Sequence, residues 1–204
     1  MKIAFVVQRY GADIVGGAEY LTRLFAEHLI RYHDIEVLTT CAKSYHTWEN
    51  EYPEGTEIVN GIPVRRFRNT AIRTPAKILQ LQERVFYHAH SRDDELRWIE
   101  ENGPVCPGLI TYLKKNADEF DCVIFFTFRY YQSYHGVIGV GKKAIIVPFA
   151  EDDPALDLAT TKEIFSHAAG VVYSTPEERP LIRQRVRFDE TGKIVDVVGS
   201  GIET

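Results

Sequence analysis

The sequence predicts an α/β protein built on a doubly wound, mostly parallel sheet. Short apolar runs recur along the chain of 204 residues, and segments with helical periodicity separate most of them. Most runs lack the alternation of apolar and polar residues that is typical of a sheet with one face in water. We therefore expect helices on both faces of the sheet, and ligands of such sheets bind beyond the carboxyl ends of the strands.

Residues 3–40 predict a β-α-β unit with a right-handed crossover. Residues 3–7 form a continuous apolar run, and residues 35–40 form the second strand. The helix between them extends to about residue 31. Its apolar stripe is spaced i, i+3, i+4, i+7 and i+8, and consists of Leu21, Leu24, Phe25, His28 and Leu29.

A β-hairpin follows this unit. Asn60-Gly61 joins β-rich runs at residues 57–59 and 62–67, and Asn-Gly between such runs is a strong hairpin signal. The hairpin is expected to place three arginines on the surface, Arg65, Arg66 and Arg68.

A helical insertion occupies residues 74–116. Its pattern predicts two helical pieces that are separated at Gly103-Pro104, and Pro107 is suited to begin the second piece.

The second half of the chain resumes the alternation of strands and helices. We expect strands at residues 122–126, 144–147, 171–173 and 194–198, and helices at residues 155–168 and 176–187. The total is about six strands that alternate with helices, plus one hairpin. This pattern is typical of a doubly wound sheet.

Composition narrows the function classes. The chain is 45% hydrophobic and 26% charged with a net charge of −5, which is typical of a globular protein and argues against nucleic-acid binding. The three cysteines lack metal-ligand spacing, so we expect reduced thiols and a cytoplasmic location. Peripheral contact with a membrane stays open because basic residues cluster in two segments, residues 65–77 and 179–187.

Two adjacent glycines precede the first helix. Gly16 and Gly17 stand where backbone N–H groups and the positive end of the helix dipole point outward. Without a Cβ, a phosphate can approach the main chain closely. A tight turn from strand to helix explains the same residues equally well.

Two further segments follow predicted strands and carry polar side chains. Glu151 and Asp152 precede a helix, where they either contact sugar hydroxyls or act as a base. The alternative is simple capping, with Asp153 as N-cap and Pro154 at N1.

An aromatic segment follows the strand at residues 122–126. Arg129, Tyr130 and Tyr131 are suited to line a carbohydrate or nucleotide pocket, because aromatic faces pack on sugar C–H surfaces and arginine binds phosphate. A helix whose tyrosines pack with their hydroxyls at the surface is about as consistent with the pattern.

Taken together, these segments resemble the N-terminal half of the GT-B glycosyltransferases, in particular the large retaining family (glycosyltransferase family 4-like) that includes bacterial cell-surface polysaccharide enzymes. The resemblance covers the whole chain. It rests on Gly16-Gly17-Ala18-Glu19 and on residues 121–131, 147–154, 173–179 and 198–203.

The resemblance implies a Rossmann-like, acceptor-side domain at residues 1–198 and the start of a hinge at residues 199–204. A second Rossmann-like domain would hold most of the nucleotide-sugar donor. The present half would contact the donor phosphate through Gly16 and Gly17 and the acceptor through Glu19 and the aromatic segment. The acceptor would be a glycan or a lipid-linked sugar, and no metal or other cofactor would be needed.

One position departs from the family pattern. Close relatives have a His-Asp-Glu-like triplet after the strand that ends near Phe149, whereas this chain has Glu151-Asp152-Asp153. A glutamate cannot present a neutral imidazole, so the acceptor chemistry differs or is weakened.

The leading hypothesis is a retaining sugar transferase of the hexosyltransferase type, seen as its acceptor-side half and inactive when isolated. The alternative is a non-catalytic sugar- or nucleotide-binding module. A dehydrogenase or epimerase is disfavoured because the first turn lacks the G-x-G-x-x-G fingerprint.

Overall fold

The computed structural model describes residues 1–199, which form an eight-stranded sheet covered by helices. The strands, in chain order, are β1 (Lys2–Val6), β2 (Asp34–Thr40), β3 (Gly55–Val59), β4 (Ile62–Phe67), β5 (Cys122–Phe126), β6 (Ala144–Val147), β7 (Gly170–Tyr173) and β8 (Ile194–Val197). The α-helices are α1 (Gly17–Leu29), α2 (Pro75–Tyr87), α3 (Arg92–Asn102), α4 (Pro107–Asn116), α5 (Tyr131–Val140), α6 (Ala159–His167) and α7 (Glu178–Arg185).

The sheet is doubly wound, as the sequence predicts. Its order is β3-β4-β2-β1-β5-β6-β7-β8, and every neighbouring pair is parallel except β3 with β4. The chain proceeds outward from β1 to β4, then returns to the other side of β1 with β5. The switch point of strand order therefore lies between β1 and β5, which is where sheets of this kind bind ligands.

Apolar side chains at residues 3–7, in and directly after β1, divide between the two faces of the sheet. Ala4 and Val6 belong to one buried cluster, whereas Ile3, Phe5 and Val7 belong to the other. Both faces are thus covered by helices, which explains why the run at residues 3–7 is continuously apolar.

The hairpin is confirmed, but one of its arginines is not at the surface. Asn60 and Gly61 have φ angles of 50° and 83°, as a two-residue hairpin turn requires. Arg66 is only 2% exposed. It pairs with Glu57 at 2.6 Å and lies over the ring of Tyr52, so internal partners replace solvent around its charge.

The helical insertion contains three helices rather than the two expected pieces. The break at Gly103-Pro104 is confirmed, because α3 ends at Asn102 and α4 begins at Pro107. A second break separates α2 from α3. Ser91 causes it, since its side chain and that of Asp94 form a reciprocal capping box at the start of α3.

Helix boundaries elsewhere also differ from the predictions. The segment predicted as one helix at residues 155–168 is a short 3₁₀ turn followed by α6. Asp153 caps the turn, because its Oδ1 accepts a 2.8 Å hydrogen bond from the Ala155 N–H. In α1 the most buried positions are Glu19, Thr22 and Ala26, whereas His28 is exposed.

None of the helices within residues 1–199 is long and apolar enough to cross a membrane. The predicted hinge at residues 199–204 lies outside the described residues except for its first position.

Candidate functional site

A cleft of about 350 Å³ opens at the switch point of the sheet. The residues that line it come from the start of α1 and from the loops that follow β5 and β6. They are Gly17, Ala18, Leu21, Thr127, Phe128, Arg129, Tyr130, Pro148, Phe149 and Glu151. The fold thus brings Gly17, Arg129, Tyr130 and Glu151 together from three distant parts of the sequence.

Each of the two loops that line the cleft contains a residue in the left-handed backbone conformation. Thr127 has φ 69° directly after β5, and Phe149 has φ 48° two positions after β6. A left-handed conformation is an outlier for a β-branched or bulky residue. The Thr127 N–H donates to the Val147 carbonyl at 2.8 Å, and the Phe149 ring packs on Phe126. Packing and hydrogen bonding therefore hold strained backbone at the cleft, as is frequent at functional sites.

Two buried polar groups at the cleft lack a partner among residues 1–199. They are the Thr127 hydroxyl and the Nε of Arg129. The other end of the Arg129 guanidinium pairs with Asp153, with Nη1 to Oδ2 at 2.6 Å. Asp153 thus both caps the following turn and orients Arg129.

Tyr130 is the N-cap residue of α5 and forms one wall of the cleft. Its ring meets Trp48 edge to face, with 5.6 Å between centroids. Burial raises the pKa of the Tyr130 hydroxyl above its ordinary value, so this group stays protonated at neutral pH.

Glu151 is exposed at the cleft, and none of the described residues bonds to its carboxylate. Its loop is fixed from behind by Glu178, which is 4% exposed. The Glu178 carboxylate accepts hydrogen bonds from the N–H groups of Ala150 at 2.6 Å and Ser174 at 2.5 Å. Asp152 lies outside the cleft lining and bonds to Arg185.

The adjacent glycines differ in their surroundings. A Cβ on Gly17 would meet nothing within 4 Å, so the backbone there is open to the cleft. A Cβ on Gly16 would overlap with Oε2 of Glu19. Gly17 is therefore the position at which a ligand can approach the start of α1, and Gly16 is required for packing.

Glu19 and Tyr131 face inward. Oε1 of Glu19 accepts hydrogen bonds from Nε of Arg9 at 2.9 Å, Nη2 of Arg9 at 2.6 Å and Nε2 of Gln8 at 3.0 Å. Tyr131 is 9% exposed and packs in the apolar core beside the ring of His135. Neither lines the cleft.

Thr127, Phe149 and Asp153 lie in strand-end segments that the sequence indicates, but neither the left-handed backbone of the first two nor the pairing of Asp153 with Arg129 was predicted. A left-handed backbone at a threonine or phenylalanine has no sequence signal, because these residue types rarely adopt it. The Asp153–Arg129 pair joins two loops and follows only from the pairing of β5 with β6.

A groove of about 590 Å³ lies on the helical layer, with Arg92, Tyr134, His135 and Glu163 in its walls, rather than at the strand ends. Within residues 1–199 no three His, Cys, Asp or Glu residues are placed to hold a metal ion.

Comparison with solved structures identifies a similar fold. The chain is similar to a sucrose-phosphate synthase from Thermosynechococcus elongatus, with a TM-score of 0.55 and 12% sequence identity. The alignment covers 99% of this chain and 48% of that structure, so the chain spans about half the length of this neighbour. No protein-family model and no curated protein sequence matches the chain. At this identity the likeness shows the fold alone, a mostly parallel, Rossmann-like sheet that matches one half of the GT-B fold.

Proposed function

We propose that the chain is the acceptor-side half of a glycosyltransferase, which transfers a sugar from a nucleotide-sugar donor to a glycan or lipid-linked acceptor. The observation that carries this proposal is the cleft at the switch point, where Gly17, Arg129, Tyr130 and Glu151 lie together within a GT-B-like half. Retention of configuration, membership of the family 4-like group and a hexosyl donor belong to the same proposal.

The start of α1 is suited to the donor phosphate. Gly17 leaves the first-turn N–H groups accessible, and the helix dipole favours an anion there. The buried, unpartnered hydroxyl of Thr127 belongs to the lining of the same cleft and supports a polar ligand at this point. Arg129 adds a positive charge that Asp153 holds in a fixed orientation.

Glu151 is the carboxylate that the proposal assigns to the sugars. An ionised carboxylate only accepts hydrogen bonds, so Glu151 is suited to sugar hydroxyls and to a proton released by the acceptor. Asp152 lies beside it but bonds to Arg185, so we assign to Asp152 the support of the loop.

Nucleotide binding tests the phosphate site directly. We expect one of UDP, GDP or ADP to bind the full-length product of the gene in isothermal titration calorimetry, and Gly17→Val to weaken binding by about tenfold or more, since a side chain blocks the helix N-terminus. Gly108→Val is the matched control, because Gly108 also lies in the first turn of a helix, α4, and does not line the cleft. Equal affinities of the two variants, or no binding of any nucleotide, would contradict the proposal.

Transfer is then measured with the full-length product of the gene, nucleotide sugars and a mixed panel of acceptors. Turnover that is lost in Glu151→Gln supports a transferase. Tight binding of a nucleotide sugar without hydrolysis or transfer would instead establish the alternative, a non-catalytic binding module. A cytoplasmic location with peripheral membrane contact, and chemistry without a metal cofactor, remain predictions of the proposal.

A further inference from the structure

A second pocket of about 270 Å³ has a lining residue in contact with the cleft. Trp48, which packs against Tyr130, forms part of its floor. Asn102 connects the two sites as well, because its Nδ2 donates to the Arg129 carbonyl at 2.8 Å and its Oδ1 accepts from Arg73. Contacts between neighbouring side chains therefore connect the lining of the second pocket to that of the cleft.

The positive charge of Arg73 in this second pocket is unusual because its hydrogen-bond acceptors are all neutral. It is partly buried, and its guanidinium bonds only to neutral acceptors, the Tyr45 carbonyl at 2.9 Å and the side-chain amide of Asn102. No ion pair links Arg73 to a carboxylate of residues 1–199, whereas Arg9, Arg66 and Arg129 each have such a pair.

A partly buried cation without a counter-charge is unfavourable, because burial removes water that solvates it. Burial lowers the pKa of Arg73, and the positive charge of Arg129 acts in the same direction. Both effects would be relieved by an anion at the guanidinium.

The carboxylates of the pocket lie at its rim. Glu100 is exposed, and Glu101 lies 3.8 Å from Lys77, whose side chain is 65% exposed. Solvent and salt screen charges of this kind. Trp48 and Gly103 form the buried part of the lining, and the partly buried Arg73 guanidinium lies beside them.

We propose that the second pocket binds an anionic substituent of the acceptor, a phosphate or a carboxylate, through Arg73. This inference rests on the proposed function, in which the cleft holds the reacting hydroxyl. Arginine suits the task because its planar fork binds either anion through two parallel hydrogen bonds. The ring of Trp48, 5.6 Å from the guanidinium carbon, holds the plane of the fork in place.

The test compares glucose 6-phosphate, glucuronate and neutral glucose as probes. The Trp48 indole lines the pocket and the Trp98 indole is buried in the core, so their two N–H resonances in NMR give a reporter and an internal reference. We expect the Trp48 resonance to shift with an anionic probe at concentrations where glucose has no effect. The anion that binds more tightly identifies the substituent as phosphate or carboxylate. Equal binding of glucose and both anions overturns the inference.

Three variants distinguish the effect of the Arg73 charge on binding from an effect on folding. Arg73→Gln should weaken binding of the preferred anion by about tenfold, as expected for a charge-assisted contact. Ile72 and Glu100 line the pocket and are exposed, so substitutions there leave the fold intact. Ile72→Glu adds a negative charge and should weaken binding about two- to threefold, and Glu100→Gln should strengthen it by a similar factor. Unchanged affinity in all three variants overturns the inference.

A parallel titration with UDP, GDP and ADP distinguishes this inference from the proposed function. Nucleotide binding that depends on Gly17, without preference for an anionic sugar, overturns only the inference. Anionic-sugar binding through Arg73 in a protein that binds no nucleotide supports the pocket and overturns the proposed transfer.

Discussion

The turn after β1 and the loops after β5 and β6 lie at the same edge of the sheet, yet they differ in how their charged groups are satisfied. In the first region, Gln8 and Arg9 occupy one oxygen of the Glu19 carboxylate, and both ionic side chains are nearly buried, at 8% and 7% exposure. In the second, Glu151 has no partner among the described residues, and the Thr127 hydroxyl is buried without one.

This difference separates residues that stabilise the fold from residues that are available to a ligand. Both sets of residues follow strands of a parallel sheet, which is the usual position of a ligand site. Groups that bond to each other have little left to offer a substrate, whereas unpartnered groups on strained backbone are stable only because the surrounding fold holds them.

The largest expected contrast is in stability. Glu19→Ala leaves the buried Arg9 charge uncompensated, and we expect it to lower the free energy of unfolding by about 3–5 kcal/mol. Glu151→Ala removes an exposed carboxylate and should change it by no more than about 0.5 kcal/mol. Urea denaturation of both variants measures the difference. A similar loss in the two variants would remove the distinction between the regions.

Alanine substitutions at the two adjacent glycines should change the stability of the fold in opposite directions. In Gly16→Ala the new Cβ overlaps with Glu19, and we expect a loss of about 1–3 kcal/mol from overpacking. In Gly17→Ala the Cβ enters open space at the start of α1, and we expect a gain of about 0.4–1 kcal/mol because alanine favours helix and restricts the unfolded chain. Thermal denaturation provides the comparison, and two changes of the same sign would contradict it.

The strained backbone of the second region predicts that a glycine is favourable at Thr127. Thr127→Gly relieves a left-handed threonine and removes an unpartnered hydroxyl, so we expect a net gain of about 1 kcal/mol. Thr40→Gly is the control in the first region. Thr40 lies at the end of β2, and its hydroxyl donates to the Gln8 carbonyl at 2.7 Å. Loss of this side chain should lower the free energy of unfolding by about 1–2 kcal/mol. Destabilisation by Thr127→Gly would show that the threonine is not strained.

A second closed network, formed by Arg92, Glu163 and Tyr134, is expected to make the smallest contribution to stability, and this contribution should depend on pH. Arg92 lowers the pKa of Glu163, which also accepts a 2.6 Å hydrogen bond from the Tyr134 hydroxyl. Because the folded pKa lies below the unfolded one, this stabilisation is complete above roughly pH 5 and is lost as the pH falls below the usual glutamate value of about 4.3. Glu163→Gln should therefore cost about 0.5–1 kcal/mol at pH 7 and less at pH 3 than at pH 7.

Denaturant titrations at both pH values check this difference, with exposed Glu177→Gln as the control. A cost that is equal at pH 7 and pH 3 would show that the ionised form of Glu163 has no role.

The fold was predictable because its signals are local. Continuous apolar runs define the parallel strands, and Asn60-Gly61 defines the hairpin. The break between α2 and α3 was missed because Ser91 marks it with one capping box inside a helical pattern. The sequence suggests a surface position for Arg66 because nothing local indicates its contact with Tyr52, which lies outside the hairpin. Its other partner, Glu57, belongs to the hairpin itself.

The site was predictable only in part. Strand ends correctly indicated Gly17, Arg129, Tyr130 and Glu151 as neighbours at one edge. That Arg9 occupies the Glu19 carboxylate was not predictable, since a difference of an ångström or two decides whether the carboxylate binds an internal partner or a ligand.

The most direct test of the account is an NMR titration of the ¹⁵N-labelled chain with UDP, GDP and ADP. We predict that the best nucleotide shifts the amide resonances of Gly17, Ala18 and residues 127–130, and that the resonances of the closed Arg9–Glu19 network stay unchanged. Shifts confined to the helical groove around Tyr134, or no shifts with any nucleotide, would contradict the assignment of the cleft.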